Sequence, residues 1–205
     1  MKQHSSINSL MKWSFASLMF LMMAITFSYR YLVEIPKEKL AIEQLHKREL
    51  SSLYFSLIDE SKNLKQMNFD YAVWEDTFNF INTYNQSYLD NNYDLQTFIN
   101  LRIDAVFIIN NQNKVLFSKG FDHLKQQPLD FSDLLDKDDL FASKIVNYQR
   151  SNDQARSGII KTNEGTMIFA ITNISDSKDL AKTNGQLIYL KRLDQSLIDR
   201  IADAT

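Results

Sequence analysis

Cysteine is absent from this 205-residue sequence, and glycine and proline are scarce, at 4 and 2 residues. Without cysteine the chain has no disulfide, no thiol nucleophile, no thiolate zinc site and no iron–sulfur cluster. So little glycine and proline also excludes a collagen-like or low-complexity chain. Hydrophobic residues make up 44% of the sequence, which predicts a folded chain of about one domain with an accessory segment.

An excess of basic charge is also missing. The formal net charge is -2 at pH 7, so the chain lacks the basic footprint of a nucleic-acid-binding protein, and we expect no nucleic-acid partner. The charges are unevenly placed along the chain. Residues 1–33 carry Lys2, Lys12 and Arg30 and no acidic residue, whereas the rest is net acidic. The sequence therefore divides into a basic, apolar leader and an acidic body.

The leader predicts a transmembrane helix at residues 13–33. No charged residue lies between Trp13 and Tyr29, and the apolar run continues past Arg30 to Val33. At about 1.5 Å per residue this stretch is roughly 25–32 Å long, close to the ~30 Å hydrocarbon core of a bilayer. A cleaved signal peptide and a buried core helix are the alternatives. No small-x-small cleavage site precedes Arg30, which favours an uncleaved signal anchor.

The domain organisation follows from this helix. We expect a cytoplasmic N-terminal tail at residues 1–12, a periplasmic or extracellular domain at 37–197, and the end of a C-terminal helix at 198–205. The counts of Lys and Arg do not fix the orientation, but long domains translocate largely regardless of charge. The predicted localisation is the bacterial inner membrane, crossed by a single helix.

A long helical stretch follows the membrane segment. Residues 37–83 contain neither glycine nor proline, and Glu34 to Pro36 is the one predicted break before them. Apolar residues in this stretch recur at spacings of three and four, apart from one skipped place at Glu60, as in an amphipathic helix. The seam faces either a sheet or a second copy of itself, and both alternatives stay open. Its members are Leu50, Leu53, Leu57, Leu64, Met67, Tyr71, Trp74, Phe78 and Ile81.

From Ala105 onward the pattern changes to short apolar runs separated by turn residues. Two hairpins turn at residues 110–113 and 163–165, with helical fragments between them at 131–135 and 140–146. A last helix is predicted from Asp194 to Ala204. The pattern predicts an α+β fold of PAS or Cache type, with a five-stranded antiparallel sheet, a long N-terminal helix and a helical insert. The strands are predicted at residues 105–109, 114–118, 158–162, 166–172 and 185–190.

Three segments carry a resemblance to a known family. They begin DYAVWEDTFNFI at Asp70, LRIDAVFIIN at Leu101 and GQLIYLKRLD at Gly185. From about Leu40 to Leu197 the chain resembles the fourth class of CHASE extracellular sensor domains. In that family the domain sits between two membrane helices and controls a cytoplasmic output, often a GGDEF cyclase, an EAL phosphodiesterase or a histidine kinase. This sequence departs from the pattern, since it has no second membrane helix and no output domain.

The resemblance implies a membrane-anchored periplasmic sensor that binds a small molecule and regulates cyclic-di-GMP turnover or a kinase. The output would belong to a longer protein or to a partner. We also expect a homodimer, no cofactor and no bound metal. The alternative function is a ligand-free dimerisation or interaction module of a membrane receptor.

A ligand pocket is predicted around the tryptophan block. On a continuous helix, Asp70 and Trp74 share one face while Asp76 lies near Phe80 on another, so each acid sits beside an aromatic ring. Such a wall suits a small cationic or hydrogen-bonding ligand. The alternative is structural, with Trp74 as a core anchor and Arg102 paired with Asp104. The predicted ligand-binding residues are Asp70, Tyr71, Trp74, Asp76, Arg102, Asp104 and Phe107.

Catalysis has little support in the sequence. Nucleophile-elbow, phosphate-loop and HExxH motifs are absent. An acidic run from Asp130 to Asp139 does not match an EF-hand, because Phe141 stands where a loop starting at Asp136 requires glycine. A hydrolase would need His123 to approach this run in the fold. We therefore expect a non-enzymatic protein.

Overall fold

The computed structural model of the chain describes residues 3–122, 124–135 and 154–193. The chain divides into two compact units, Met1–Ser52 and Leu53–Thr205. The helices predicted at 140–146 and 194–204, and the boundaries predicted at 197 and 198, lie outside the described residues.

The N-terminal unit is helical throughout its described part. Helix α1 spans Gln3–Tyr29, a π-helical stretch covers Arg30–Glu34, and helix α2 begins at Ile35. The predicted break at Pro36 is wrong. The amide of Ile35 donates to the carbonyl of Arg30, so the wider π-helical turn carries the backbone into α2 with Pro36 in its first turn, where no amide hydrogen is required.

From Ser9 to Leu32 the apolar side chains are exposed, with Trp13 at 76% and Phe20 at 75%. Within the described residues, one helix is long and apolar enough to cross a membrane, and none of its most apolar window is buried. A helix that buries none of this surface is not the core helix of a soluble domain. The buried-core alternative is therefore wrong for this segment.

The second unit begins with helices and continues as a sheet. Helix α2 ends at Ala72 and is followed by α3 (Glu75–Thr83), α4 (Gln86–Asn92) and α5 (Leu95–Leu101). The helix predicted to continue up to Thr83 is therefore interrupted once, between Ala72 and Glu75. Asn85 caps α4 by accepting a hydrogen bond from the Ser87 amide, and Asp94 caps α5 by accepting one from the Thr97 amide at 2.7 Å.

The sheet is antiparallel, in the order β3-β2-β1-β6-β5-β4. The five predicted strands are confirmed, and β3 adds a short sixth strand at one edge, paired with the end of β2. A short helix, α6 (Ser132–Leu135), follows β3. The strands are β1 (Ala105–Asn110), β2 (Val115–Asp122), β3 (Gln127–Pro128), β4 (Ala155–Thr162), β5 (Gly165–Asp176) and β6 (Asp179–Arg192).

The two faces of the sheet bury different sets of side chains. We call first face the side on which Val106, Ile108 and Tyr189 form one core with residues of α2 to α5. On the opposite side, the second face, Phe107 and Ile188 form another core with residues that include Phe131 and Leu134. Because successive side chains of a strand point to opposite faces, β1 is buried on both sides, as its continuous apolar run predicts.

Candidate ligand-binding site

The helix breaks at Trp74, where a side-chain hydrogen bond from Thr77 to the Tyr71 carbonyl replaces a backbone hydrogen bond of a continuous helix. Trp74 is extended, with φ -131° and ψ 134°, and precedes the first turn of α3. The hydroxyl of Thr77 donates to the Tyr71 carbonyl at 2.7 Å, which satisfies a carbonyl exposed by the end of α2. The predicted placement of Asp70 and Trp74 on one helical face is therefore wrong, since Asp70 belongs to α2 and Trp74 lies in the break before α3.

An aromatic cluster surrounds this break. The Trp74 ring meets the Tyr71 ring at a centroid distance of 6.1 Å and the Tyr88 ring at 6.4 Å. Tyr71 also meets Tyr93 at 6.3 Å and Tyr189 at 6.1 Å. Trp74 retains 38% exposure, whereas Tyr93 and Tyr189 are almost completely buried. Trp74 thus forms the outer edge of a cluster whose inner end is a residue of β6.

Tyrosine hydroxyls connect this cluster to the sheet. Since the single proton of the Thr77 hydroxyl goes to the Tyr71 carbonyl, the Tyr88 hydroxyl donates to Thr77 across 2.6 Å. The Tyr93 oxygen lies 3.5 Å from that of Tyr88 and 3.4 Å from that of Tyr189. These two longer contacts are weak, so the hydroxyls can rearrange at little cost.

Burial keeps these hydroxyls protonated. It raises the pKa of Tyr93 well above the usual value of 10.0, and the neighbouring Tyr189 and Tyr88 add to the shift. The pKa of Tyr189 is likewise raised well above its usual value by burial. Burial also raises the pKa of Tyr88. The cluster is therefore a neutral network at physiological pH.

A pocket of about 320 Å³ opens between α3 and α4, on the other side of Tyr88. Its floor is made by Phe80 and Tyr88, whose rings stack at a centroid distance of 5.0 Å. The described residues that line it include one acidic side chain and no basic one. Its polar lining consists of Asp76, Asn79, Thr83, Asn85, Ser87, Asn91 and Asn92.

Some of these polar groups are engaged inside the protein. The amide nitrogen of Asn92 donates to the Tyr88 carbonyl at 2.8 Å, and that of Asn91 reaches the Ser87 hydroxyl at 3.4 Å. The Thr83 hydroxyl donates to the Asn79 carbonyl. The carboxylate of Asp76 and the side-chain amide of Asn79 form no hydrogen bond within the described part of the chain. These two side chains are therefore available to a ligand.

Of the predicted site residues in the tryptophan block, the structure places only Asp76 in this pocket. Asp70 is exposed on α2 and accepts a hydrogen bond from Gln66 at 2.8 Å. Tyr71 and Trp74 belong to the aromatic cluster and reach the pocket through Tyr88. The tryptophan block thus contributes one acidic side chain, Asp76, to the pocket lining, and its Tyr71 and Trp74 rings pack next to the lining residue Tyr88.

Three predicted site residues lie elsewhere. Arg102 is exposed and has a left-handed backbone, with φ 52°, at the end of α5. Asp104 is buried and its carboxylate accepts the backbone amide of Arg192 at 2.7 Å, which anchors the end of β6. Phe107 packs against Phe131 on the second face, so placing it in one cavity with Tyr71 is wrong.

The asparagine residues of the pocket were not predicted. The segment from Asn79 to Asn92 is rich in asparagine, and four of these side chains line the pocket. Asparagine clusters usually indicate turns, and this segment does contain the connection from α3 to α4. The composition alone therefore does not distinguish a loop from a binding surface.

Helix α2 is tied to β6, the last described strand. The Asn68 side chain donates to the Leu187 carbonyl at 3.3 Å, and Lys191 forms an ion pair with Glu60. On the second face Arg192 contacts Asp122 at 3.1 Å and Glu164 at 3.5 Å. The end of β6 is thus held by α2 on one face and by charged residues on the other.

No metal cluster of three or more His, Asp or Glu residues occurs among the described residues. Asp130 caps the start of α6 by accepting hydrogen bonds from the Ser132 amide and hydroxyl. His123 and Asp136 to Asp139 lie outside the described residues, so the hydrolase alternative is untested.

Comparison with known proteins identifies the family. The CHASE4 domain model matches residues 56–205. The chain belongs to the CHASE4 domain family. The methanogenesis regulatory histidine kinase FilI of Methanothrix harundinacea (strain 6Ac) is 24% identical over 159 residues, which cover 76% of this chain. This chain spans only 17% of the length of that relative.

Two solved structures have a fold similar to that of this chain. The sensor domain of the V. cholerae histidine kinase DctB has a TM-score of 0.54 at 11% identity, covering 80% of this chain and 60% of that one. The extracellular domain of vpHK1S-Z8 has a TM-score of 0.51 at 14% identity, covering 74% and 59% of the two chains. The predicted CHASE family and Cache-like α+β fold are confirmed, and with them a signal-sensing role.

Proposed function

We propose that this chain is a membrane-anchored, periplasmic sensor domain that binds a small solute in the pocket between α3 and α4. One observation carries the proposal. The carboxylate of Asp76 and the side-chain amide of Asn79 line the pocket without a hydrogen bond to other described residues, and the Tyr88 ring in the same lining contacts the buried Tyr93 ring. Small-molecule sites are concave and place a few polar groups where a ligand can reach them, as Asp76 and Asn79 are placed here.

Binding would reach the sheet through the aromatic cluster. A ligand on Tyr88 presses on a ring that contacts both Trp74 and Tyr93, and the Tyr93 hydroxyl adjoins Tyr189 of β6. Strand β6 in turn holds α2 through Asn68 and Lys191. We propose that the signal is a small shift of α2 against β6, and that the ligand must bind one arrangement more tightly than the other.

The output is proposed from the family. A cytoplasmic enzyme, either a cyclic-di-GMP cyclase or phosphodiesterase or a histidine kinase, would read the shift in a longer protein or in a partner. The relative FilI is named a histidine kinase.

The ligand-binding proposal is tested by thermal unfolding of the full chain in detergent against amino acids, amines, sugars, organic acids and metal ions. A stabilising compound should lose its effect in Asp76→Ala and Asn79→Ala while both variants remain folded. Asp70→Ala is the matched control, because Asp70 is an exposed acid outside the pocket. In a Trp13→Phe background Trp74 is the sole tryptophan, and its fluorescence should change on binding. Binding that survives both pocket variants would refute this site.

The proposed topology has a direct test, because the chain has no cysteine of its own. A single cysteine at Asn111, in the exposed turn after β1, should react with a membrane-impermeant maleimide in intact cells whose outer membrane has been permeabilised. A cysteine at Ser6 should react only after the inner membrane is disrupted. The opposite labelling pattern would invert the topology.

A second candidate, the interaction module, is favoured by a different feature. An apolar groove of about 360 Å³ runs between Leu57 and Ile58 of α2 and Ile159 of the edge strand β4. Tyr54 and Phe55 beside it are 62% and 65% exposed. In a twofold dimer each copy could cover the groove of the other with these rings. Phe55→Ser should then lower the dimer fraction measured by sedimentation, while Ser51→Ala, on the same exposed helix, should not. A monomeric wild-type chain would contradict this candidate.

A further inference from the structure

We infer that the pocket between α3 and α4 takes a neutral, hydroxyl-rich ligand of the carbohydrate class. This inference rests on the proposed ligand-binding function and goes further by naming the chemistry of the ligand. It follows from three properties of the pocket: its charge, the accessibility of its rings and the kind of polar group it offers.

The charge of the pocket excludes anions. Asp76 is the one charged side chain among the described residues that line it. An organic acid or a phosphate would meet this carboxylate with no lysine, arginine or histidine in the lining to compensate. Like charges in one site repel each other, and anion-binding sites use guanidinium, ammonium or helix-terminal amide groups instead.

The accessibility of the rings argues against a cationic ligand. An aromatic cage binds ammonium groups through exposed ring faces. Here Phe80 is 1% exposed and Tyr88 is 6% exposed, and the two rings stack on each other at an interplanar angle of 28°. An amine would therefore interact with one solvent-exposed carboxylate and with very little ring surface. Such an exposed ion pair contributes little and is screened by salt.

The remaining polar groups match vicinal hydroxyls. Asp76 accepts hydrogen bonds, and the free amide of Asn79 both donates and accepts. Asn91 and Asn92 each use one N–H inside the protein, which leaves a second N–H donor and the side-chain oxygen as an acceptor on each residue. Carboxylate and amide groups in one pocket can each pair with adjacent hydroxyls of a sugar, which donate and accept at the same time. A pocket of about 320 Å³ lies at the small end of the range for small-molecule sites.

The test is ligand-observed saturation-transfer NMR on the full chain in lipid nanodiscs. The probes are D-glucose, N-acetyl-D-glucosamine and maltose, with ethanolamine as the cationic comparator and succinate as the anionic one, all at millimolar concentration. We expect at least one sugar to bind with an affinity that does not change between low and high sodium chloride, because a neutral ligand is not screened. Ethanolamine and succinate should give no transfer.

Three variants locate the binding. Asn79→Ala and Asn91→Ala should each weaken sugar affinity about threefold to tenfold, the loss expected for one or two hydrogen bonds. Both sites are exposed helical positions at which alanine favours the helix, so folding is retained. Asn100→Ala is the matched control, an exposed helical asparagine on α5 that does not line the pocket.

The outcomes separate this inference from the proposed function. Salt-independent sugar binding that weakens in Asn79→Ala and Asn91→Ala but not in Asn100→Ala supports the carbohydrate class. Salt-sensitive binding of ethanolamine, lost in Asp76→Asn, overturns the class but leaves the pocket as a ligand site. Sugar binding unaffected by both pocket variants overturns the inference and the proposed site together. No transfer from any sugar overturns the inference alone.

Discussion

Lys191 of β6 places its ammonium group against the carboxylate of Glu60 on α2, on the first face of the sheet. The Lys191 side chain is 8% exposed and that of Glu60 is 23% exposed. The pair joins the long helix to the strand that carries Tyr189, so any movement of α2 against β6 must act on it. Glu60 is also the polar residue that interrupts the apolar seam of α2, and its contact with Lys191 accounts for that interruption.

Removing one partner of this ion pair should destabilise the domain. Glu60→Gln leaves the Lys191 ammonium largely buried without a countercharge, and we expect a loss of about 2 kcal/mol in the free energy of unfolding, below the full cost of a completely buried pair. Chemical denaturation of both proteins measures the difference. Glu75→Gln is the control, since its pair with Lys178 at 3.4 Å is 52% and 78% exposed. A change below about 0.5 kcal/mol for both variants would show that Lys191 is not held by Glu60.

The buried tyrosines predict a loss of stability at alkaline pH. Burial raises the pKa of Tyr93 and Tyr189 above the value of 10.0 that they have in the unfolded chain. Above about pH 10 the unfolded state therefore loses phenolic protons that the folded state keeps, and the free energy of unfolding falls as pH rises. The stabilising contribution is fully present below that pH.

Tyr93→Phe should make this alkaline loss less steep. Its two hydroxyl contacts are long, so the cost near neutral pH should be only about 1 kcal/mol. Denaturation curves collected from about pH 8 to about pH 11 measure both effects. Tyr84→Phe serves as the control, because Tyr84 is 56% exposed. An alkaline profile that is identical in wild type and Tyr93→Phe would contradict the assignment.

Asp122 should make the free energy of unfolding fall at acid pH, whereas the buried tyrosines make it fall at alkaline pH. Desolvation opposes ionisation, but hydrogen bonds from the Lys125 and Leu124 amides and the charge of Arg192 together lower the pKa of Asp122 below 3.8. Its stabilising contribution is present above that pH and is lost as pH falls through the lower folded pKa. Asp122→Asn should cost about 1–2 kcal/mol at pH 7, because the amide keeps the backbone contacts but loses the ion pair.

The measurement is denaturation of wild type and Asp122→Asn from neutral pH down to about pH 2. The difference between the two proteins should shrink toward the acid end of the range. Asp90→Asn, an exposed acid that accepts a hydrogen bond from Gln86, should track wild type throughout. A difference that stays constant down to the lowest pH would mean that the Asp122 charge does not stabilise the fold.

The sheet could be predicted from the sequence because its signals are local. Asn110 and Gly165 stand in the two hairpin turns, and the apolar runs beside them have strand length. Strand β3 was missed because Gln127 and Pro128 carry no alternating pattern. Its pairing with Phe121 and Asp122 is a tertiary contact that a two-residue segment cannot signal.

The site was predicted less well because its geometry depends on the break at Trp74. Helical periodicity continues smoothly through this position, so the sequence does not signal the break, which the structure shows with contacts of Thr77 to Tyr71 and Tyr88. Once the helix is interrupted, Asp70 and Asp76 no longer belong to one helical surface. The position of Phe107 could have been predicted from the sequence. Phe107 lies between Val106 and Ile108 on one strand, so its side chain must face the other side of β1 from theirs.

Gly185 is a position where no side chain fits between the sheet and α3. A β-carbon there would lie 2.3 Å from the Ile109 carbonyl oxygen and 2.3 Å from the Ile81 δ-carbon. The Ile81 side chain can rotate away, but the carbonyl belongs to β1, which is paired with β6 at this point.

Gly185→Ala must therefore displace one strand, and we expect a loss of about 1–3 kcal/mol in the free energy of unfolding. Thr183→Ala, two residues away and exposed, should change it by less than about 0.5 kcal/mol. Because either displacement disturbs the pairing of β1 with β6, which carries Tyr189, ligand-induced changes in Trp74 fluorescence should also weaken in Gly185→Ala. A variant as stable as wild type would show that β1 and β6 are not packed this closely.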